Sequence, residues 1–222
     1  MRYVFLVMAT ATAAIAFAMR PVHAGSGTMW LGLAVPYAAL GAIAVRKLWQ
    51  DGTLLERLTP KWGDLSVGAV SAMLLLLGSW LARGVLAPAG TAENAWLSHV
   101  YIQVGSAELL QRSALETSAL LVIPIFEELA FRGLLQGELT ERLGARRAAP
   151  LSALFYAAAS LPTVFTLADP DAGPNPLLVI AALGCGLVWG YTTSMVKRLP
   201  PAMFSHMAFV YFSAVQFRWP GM

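Results

Sequence analysis

Long uncharged stretches alternate with short charged ones along most of this chain. The uncharged runs cover 3–19, 21–45, 65–82, 148–168, 172–196 and 199–217. Each run is close to the roughly 20 residues that a helix needs to cross a bilayer. A further segment, about 106–132, is apolar only between Thr117 and Phe126, and glutamates bound it on both sides. This pattern predicts an all-α membrane protein with about seven transmembrane helices.

Two polar breaks interrupt the apolar pattern. The stretch 87–103 contains Pro88, Gly90 and Asn94 and predicts an external loop with an interfacial helix, because Trp and Tyr in it suit the headgroup level. The stretch 47–64 predicts the cytoplasmic equivalent. The chain contains no internal repeat, low-complexity tract or long linker, so residues 1–222 are expected to form a single polytopic membrane domain.

The composition supports a membrane class, since 58% of residues are hydrophobic, 12% are charged and the mean hydropathy is +0.64. Short cytoplasmic loops are enriched in Lys and Arg. One set of predicted loops carries Arg2, Arg46, Lys47, Arg57, Lys61, Arg142, Arg146, Arg147, Lys197 and Arg198. The opposite set carries Arg20, Arg83, Arg112 and Arg218. The asymmetry predicts a cytoplasmic amino terminus and an external carboxyl terminus. The net charge of +3 then reflects topology, and no nucleic-acid partner is expected.

The first segment has two interpretations. An apolar stretch between Arg2 and the sequence Val22-His23-Ala24 is typical of a secretory signal with a small-residue cleavage site. Retention of the segment as a spanning helix gives the charge alternation described above. Cys185 is the only cysteine and excludes an intrachain disulfide framework. Gly186 and Gly190 have the four-residue spacing of a close helix contact, so Cys185 is expected to be a small buried residue there.

The sequence EELAFRG at 127–133 carries the strongest chemical signal. Ionisable residues within membrane helices are costly and therefore point to function. Glu128 and Arg132 are four residues apart on one helix face, which predicts an ion pair. Glu127 is turned by about 100° and is expected to face a different environment, a cavity in which it acts as a general base on water. The alternative is a helix end in water, where Glu128 and Arg132 form a surface pair worth little.

This motif resembles the first motif of the glutamic-type (CPBP/CAAX-type) intramembrane proteases, which include the prenyl-protein endopeptidases and bacteriocin-related homologues. The resemblance covers roughly the last half of the chain, with motifs within 113–217. It implies a multi-helix membrane enzyme in which a glutamate, assisted by a histidine, activates water to hydrolyse a peptide bond. By this resemblance Glu127 is the catalytic base, and Glu128 and Arg132 are its orienting pair.

The second and third family motifs are altered. The second is an aromatic residue followed four positions later by histidine, and here Tyr156 is followed by Ser160. The third is a histidine followed four positions later by asparagine, and here His206 is followed by Val210. His206 is thus the expected imidazole partner of Glu127; a satisfied packing histidine is the alternative. The sequence leaves open whether Tyr156, Ser160 or another residue replaces the missing histidine.

No metal and no cofactor are expected. Catalytic zinc sites use three protein ligands plus water, whereas Glu128 is expected to be engaged by Arg132, which leaves only Glu127 and His206. Two free ligands are too few for a zinc site, so water activated by glutamate without a metal is the favoured interpretation, and metal binding is the alternative.

The peptidase is expected to act on a membrane-bound protein or peptide of CAAX or carboxyl-terminal sorting-signal type. Its expected location is the bacterial inner membrane, with the lipid bilayer as a partner. The predicted topology places Glu127 toward the cytoplasmic half, which favours substrate entry from that side. The alternative is a catalytically inactive protease-fold protein that binds peptides, confers immunity or serves as a partner subunit.

Overall fold

The computed structural model describes residues 1–216 and 218, and this part of the chain is helical throughout apart from its connections. Its α-helices are α1 (Arg2–Ala18), α2 (Gly27–Gln50), α3 (Leu54–Leu58), α4 (Asp64–Leu86), α5 (Asn94–Val104), α6 (Ala107–Arg112), α7 (Ala114–Glu128), α8 (Gln136–Leu143), α9 (Ala145–Ala159), α10 (Thr163–Thr166), α11 (Leu177–Val196) and α12 (Pro200–Tyr211). Two π-helical segments, Leu129–Leu135 and Phe212–Gln216, follow α7 and α12.

The all-helical architecture is confirmed, whereas the count of seven membrane spans is not. Within the described residues, four stretches are long and apolar enough to cross a membrane: Gly27–Gln50, Asp64–Leu86, Ala145–Thr166 and Leu177–Val196. The apolar α1 is shorter, at 17 residues. Each of the seven predicted segments has a helical counterpart, although the last residue of 199–217 and the carboxyl terminus lie outside the described residues. The two polar breaks contain the short helices α3 and α5, as predicted.

Not all predicted segments are continuous helices, and the segment predicted at 148–168 is interrupted between α9 and α10. The segment predicted at 106–132 breaks at Ser113, where the backbone is extended, and the Thr117 hydroxyl bridges the break by donating to the carbonyl of Leu110. The segment predicted at 172–196 becomes helical only at Leu177, because Pro174 and Pro176 precede it and proline cannot donate a backbone hydrogen bond. Helix α7, by contrast, continues through Pro124 to Glu128.

Contacts between distant parts of the chain define two ends of the helical bundle. At the first, Arg198 forms an ion pair with Asp64, and the N–H of Leu199 donates to the Arg57 carbonyl at 3.0 Å. We call this the basic end, because the loops with most Lys and Arg meet there. Helices α4 and α12 both begin at the basic end and run parallel, since Gly68 packs against Pro201 and Ser205.

The opposite end contains α5, and we call it the α5 end. The N–H of Gly25 donates to the Gln103 carbonyl at 2.9 Å, and the Gln103 amide donates to the Ala18 carbonyl at 2.9 Å. The amide of Asn175 donates to the carbonyl of Trp96 at 3.0 Å. These bonds place the end of α1 and the starts of α2 and α11 beside α5.

Helices α9 and α11 pack closely through glycines, as the spacing of Gly186 and Gly190 predicts. A Cβ atom on Gly186 would lie 3.0 Å from the Cα of Ala153, and one on Gly190 would lie 3.2 Å from the Ala149 carbonyl oxygen. Cys185 is buried in this region, also as predicted. The close packing of α9 and α11 places the Gly186 carbonyl where it accepts a hydrogen bond from Arg132.

We expect Gly186→Val to lower the free energy of unfolding by about 1–3 kcal/mol, because the added side chain overpacks a backbone contact. Thermal unfolding of the detergent-solubilised protein measures the loss. Gly184→Val is the matched control on the same helix, since a Cβ atom there meets nothing within 4 Å. Equal midpoints for the two variants would contradict the prediction.

Candidate active site

The two motif glutamates occupy the last turn of α7, where the helix passes into the π-helical segment Leu129–Leu135. Such wider turns are often found at functional sites. The side chain of Glu128 is completely buried, whereas that of Glu127 is 14% exposed. A molecule outside the packed helices can therefore reach the Glu127 carboxylate but not that of Glu128.

His206, from α12, contacts both carboxylates. Its Nδ1 lies 2.9 Å from Oε1 of Glu128, and its Nε2 lies 3.3 Å from Oε2 of Glu127. The prediction that the two carboxylates lie in different environments is thus wrong in one respect, because both contact the same imidazole ring. The two imidazole nitrogens lie at different edges of the ring, so one ring can bridge two side chains that point in different directions.

Arg132 contacts the Glu128 carboxylate oxygen that His206 does not face. Its Nε is 3.3 Å from Oε2 of Glu128, and its Nη2 donates to the Gly186 carbonyl at 3.3 Å. Both charged side chains have no exposed surface. The predicted ion pair is confirmed, and the alternative of a solvated surface pair is excluded.

Aromatic rings surround this charged cluster. The His206 ring stacks on Trp189 with centroids 3.7 Å apart, and the Trp189 indole N–H donates to the Ser205 hydroxyl at 3.0 Å. The guanidinium carbon of Arg132 lies 4.9 Å from the centroid of Tyr156, a distance suited to a cation–π contact. Sequence reasoning missed Trp189, because a tryptophan inside an apolar helix carries no functional signal of its own.

Two tyrosines approach Glu127. The Tyr156 hydroxyl donates to Oε2 of Glu127 at 3.5 Å, a long hydrogen bond. Tyr37 is fully buried on α2 and close enough to Glu127 to interact electrostatically, but its hydroxyl has no hydrogen-bond partner within the usual distance in the described part of the chain. Gly41 permits this approach of α2 to α7, because a Cβ atom there would lie 2.6 Å from the Phe126 ring.

The residues at the altered motif positions also face the site. Ser160 and Val210 line the same cavity as Glu127 and His206. The Ser160 hydroxyl, however, donates to the carbonyl of Tyr156 at 3.3 Å, one turn earlier in its own helix. Of the two polar residues in the second motif, Tyr156 is therefore the one that contacts a motif glutamate.

A cavity of about 630 Å³ leads away from this cluster. Glu127, His206 and Tyr156 lie at its inner boundary, and most of its other lining side chains are apolar. It extends toward the α5 end, which differs from the expectation that the site is entered from the side with more basic residues. His99 lies at the α5 end, 3.1 Å from Asp169, and is not part of the cluster.

Among residues 1–216 and 218, no group of three or more His, Cys, Asp and Glu side chains is arranged to hold a metal ion. Both oxygens of Glu128 already face positively charged or hydrogen-bonding partners, Arg132 and His206. Glu127 and His206 are the two remaining side chains that a cation could approach from the cavity.

The arrangement joins a half-enclosed carboxylate, a bridging imidazole and a buried ion pair at the base of an apolar cavity. The family model described as "Type II CAAX prenyl endopeptidase Rce1-like" matches residues 113–212, which include all four candidate residues. No curated protein matches the chain. No solved structure matches it either. The region that carries the site, residues 113–212, is therefore similar to the Rce1-like family, a family of membrane-embedded proteases.

Proposed function

We propose that this protein is an intramembrane endopeptidase that hydrolyses a membrane-anchored peptide with water activated by Glu127. The observation that carries the proposal is the His206 bridge between the two glutamates, with Glu127 alone of the two facing the cavity. Glu128 and Arg132 do not contact substrate; they hold His206 from the side opposite to the cavity. A general base held in this way retains its orientation throughout the reaction.

In the proposed reaction, Glu127 removes a proton from a water molecule while the water oxygen attacks the carbonyl carbon of the scissile peptide bond. The tetrahedral intermediate carries an oxyanion, and the Tyr156 hydroxyl donates a hydrogen bond to it. The carbon–nitrogen bond then breaks, and Glu127 gives its proton to the departing amine. His206 keeps the Glu127 carboxylate oriented through Nε2. The reaction needs no metal or other cofactor.

The proposed substrate is a membrane-bound protein or peptide, of the CAAX type or with a carboxyl-terminal sorting signal. We propose that all seven apolar segments lie in the bacterial inner membrane, with the amino terminus in the cytoplasm. The support is the charge asymmetry, because ten Lys and Arg side chains belong to the loops and termini of one side and four to those of the other.

A second candidate is a protease-fold protein that binds a membrane peptide without cutting it, and Ser160 and Val210 favour it. Incubation of the purified protein in vesicles with membrane-inserted peptides, in water enriched in ¹⁸O, separates the two. Hydrolysis by activated water places the isotope in the new carboxyl group, which mass spectrometry detects. Bound but intact peptide would support the second candidate instead.

Tyr156 is the proposed oxyanion donor, and we expect Tyr156→Phe to lower kcat by about 10²-fold, the usual cost of removing one such donor. Ser160→Ala is the matched control from the same motif, because the Ser160 hydroxyl is used within its own helix. It is expected to cleave at nearly the wild-type rate. Single-turnover cleavage measures both, and a larger loss in Ser160→Ala than in Tyr156→Phe would reverse the assignment.

A further inference from the structure

The cavity occupies only the half of the bundle nearer the α5 end. On α12 it begins at His206, continues through Val210 and reaches Ala214 in the π-helical segment that follows. On α4 it begins at Leu74. Both helices run from the basic end to the α5 end. Helix α2 runs in the opposite direction, and none of its residues beyond Leu33 lines the cavity. The lining residues on α2, α4 and α12 thus all place the cavity between the catalytic cluster and the α5 end.

The other side of the cluster is closed by packed side chains. Phe131 and Arg132 follow the glutamates toward the basic end, and Leu199 and Ala202 precede His206 along the chain. All four side chains have no exposed surface. A peptide cannot reach Glu127 from the basic end without unpacking these residues.

The cavity opens sideways between α4 and α11. Five of its lining residues are exposed on the outer surface of the bundle: Leu74, Gly78, Ile180, Ala181 and Gly184. A Cβ atom added to Gly78 or Gly184 would meet nothing within 4 Å, so open space lies beside both. We call the gap between these five residues the α4–α11 slot.

The surface around the slot is apolar. Leu77 and Leu81, which flank its α4 side, are 54% and 56% exposed. Contiguous exposed apolar surface on helices of this length is expected to face lipid. The slot therefore joins the cavity to the hydrocarbon region.

We infer that the substrate enters through the α4–α11 slot as an apolar segment embedded in the leaflet nearer the α5 end. The inference rests on the proposed function for what happens after entry. It fixes which side of the membrane the substrate comes from: the side opposite to the basic loops. Under the proposed topology, that is the extracytoplasmic leaflet, so of the two proposed substrate classes the inference selects the carboxyl-terminal sorting signal.

Thiol labelling tests the direction of access without requiring activity. In a Cys185→Ala background, single variants Ser79→Cys and Ser160→Cys place a thiol in the cavity. Thr91→Cys marks the α5 end and Ala145→Cys marks the basic end, since both positions are exposed. A membrane-impermeant maleimide is added to one face of sealed, oriented vesicles. We expect the cavity thiols to react only from the face that labels Thr91→Cys. Reaction from the Ala145→Cys face, or from neither face, would overturn the inference.

Cleavage of a membrane-inserted peptide tests the slot itself. Gly78→Trp and Gly184→Trp fill the slot and are expected to lower kcat/KM about tenfold. Leu77→Trp, next to the slot on α4 but outside the cavity lining, is the control and is expected to cleave as the wild type does. Equal cleavage by all three would overturn the slot as the route. Failure of the proposed function is recognised separately. In that case Glu127→Gln would leave the cleavage rate unchanged, while the thiols in the cavity would still react from the face that labels Thr91→Cys.

Discussion

Glu127→Gln is expected to lower the rate of peptide cleavage by about 10²- to 10⁴-fold, because the amide cannot accept the proton of the attacking water. The fold should survive. Glutamine has nearly the same shape, and its carbonyl oxygen can still accept the hydrogen bond from Tyr156 and face His206. Single-turnover cleavage in vesicles, together with thermal unfolding, separates a chemical effect from a structural one.

Glu116→Gln provides the control for this experiment. Glu116 lies on the same helix, α7, in its first turn and outside the catalytic cluster. Its replacement removes the same charge from the same helix and is expected to leave cleavage at the wild-type rate. Wild-type cleavage by Glu127→Gln would refute the proposed mechanism, and a loss in both variants would attribute the effect to helix α7 as a whole.

Arg132→Met is expected to destabilise the protein by about 3–5 kcal/mol, the usual cost of breaking a buried ion pair by removing one partner. Glu128 has no exposed surface, and without Arg132 its carboxylate would remain buried beside His206 alone. Equilibrium unfolding in mixed micelles measures the change. The double variant Arg132→Met/Glu128→Gln should regain much of the lost stability, because it leaves no unpaired charge buried at this position.

The pair of Arg142 and Glu138 offers a matched comparison, because it has the same four-residue spacing and its Arg side chain is 56% exposed. Exposed pairs of this kind contribute about 0–1 kcal/mol. Arg142→Met should therefore change stability by less than Arg132→Met does. Similar losses in the two variants would show that burial is not the source of the Arg132 effect.

The sequence predicts the helical segments well, because their positions follow from runs of apolar residues between charges. It predicts their interruptions less well. The side chain of Thr117 reaches back across the break at Ser113 to Leu110, a contact that no local pattern reveals. The start of α11 at Leu177 could have been read from Pro174 and Pro176, whose effect on a helix is local.

For the candidate site, the Glu128–Arg132 pair follows from helix geometry alone, and the choice of His206 follows from the order of the motifs. The double contact of His206 could not be predicted, since it depends on how α12 packs against α7. Tyr37 and Trp189 come from helices that carry no motif, and only the tertiary structure shows them beside Glu127 and His206. The direction of the cavity likewise follows from which helix ends pack together.

The stack of His206 on Trp189 makes the active site optically observable. A protonated imidazole in contact with an indole quenches its fluorescence, so the emission of Trp189 reports the protonation of His206 directly. The chain contains seven tryptophans, and a Trp189→Phe variant supplies the background from the other six. Proton movements at the glutamate–histidine bridge can thus be followed in the absence of any substrate, including one that has yet to be identified.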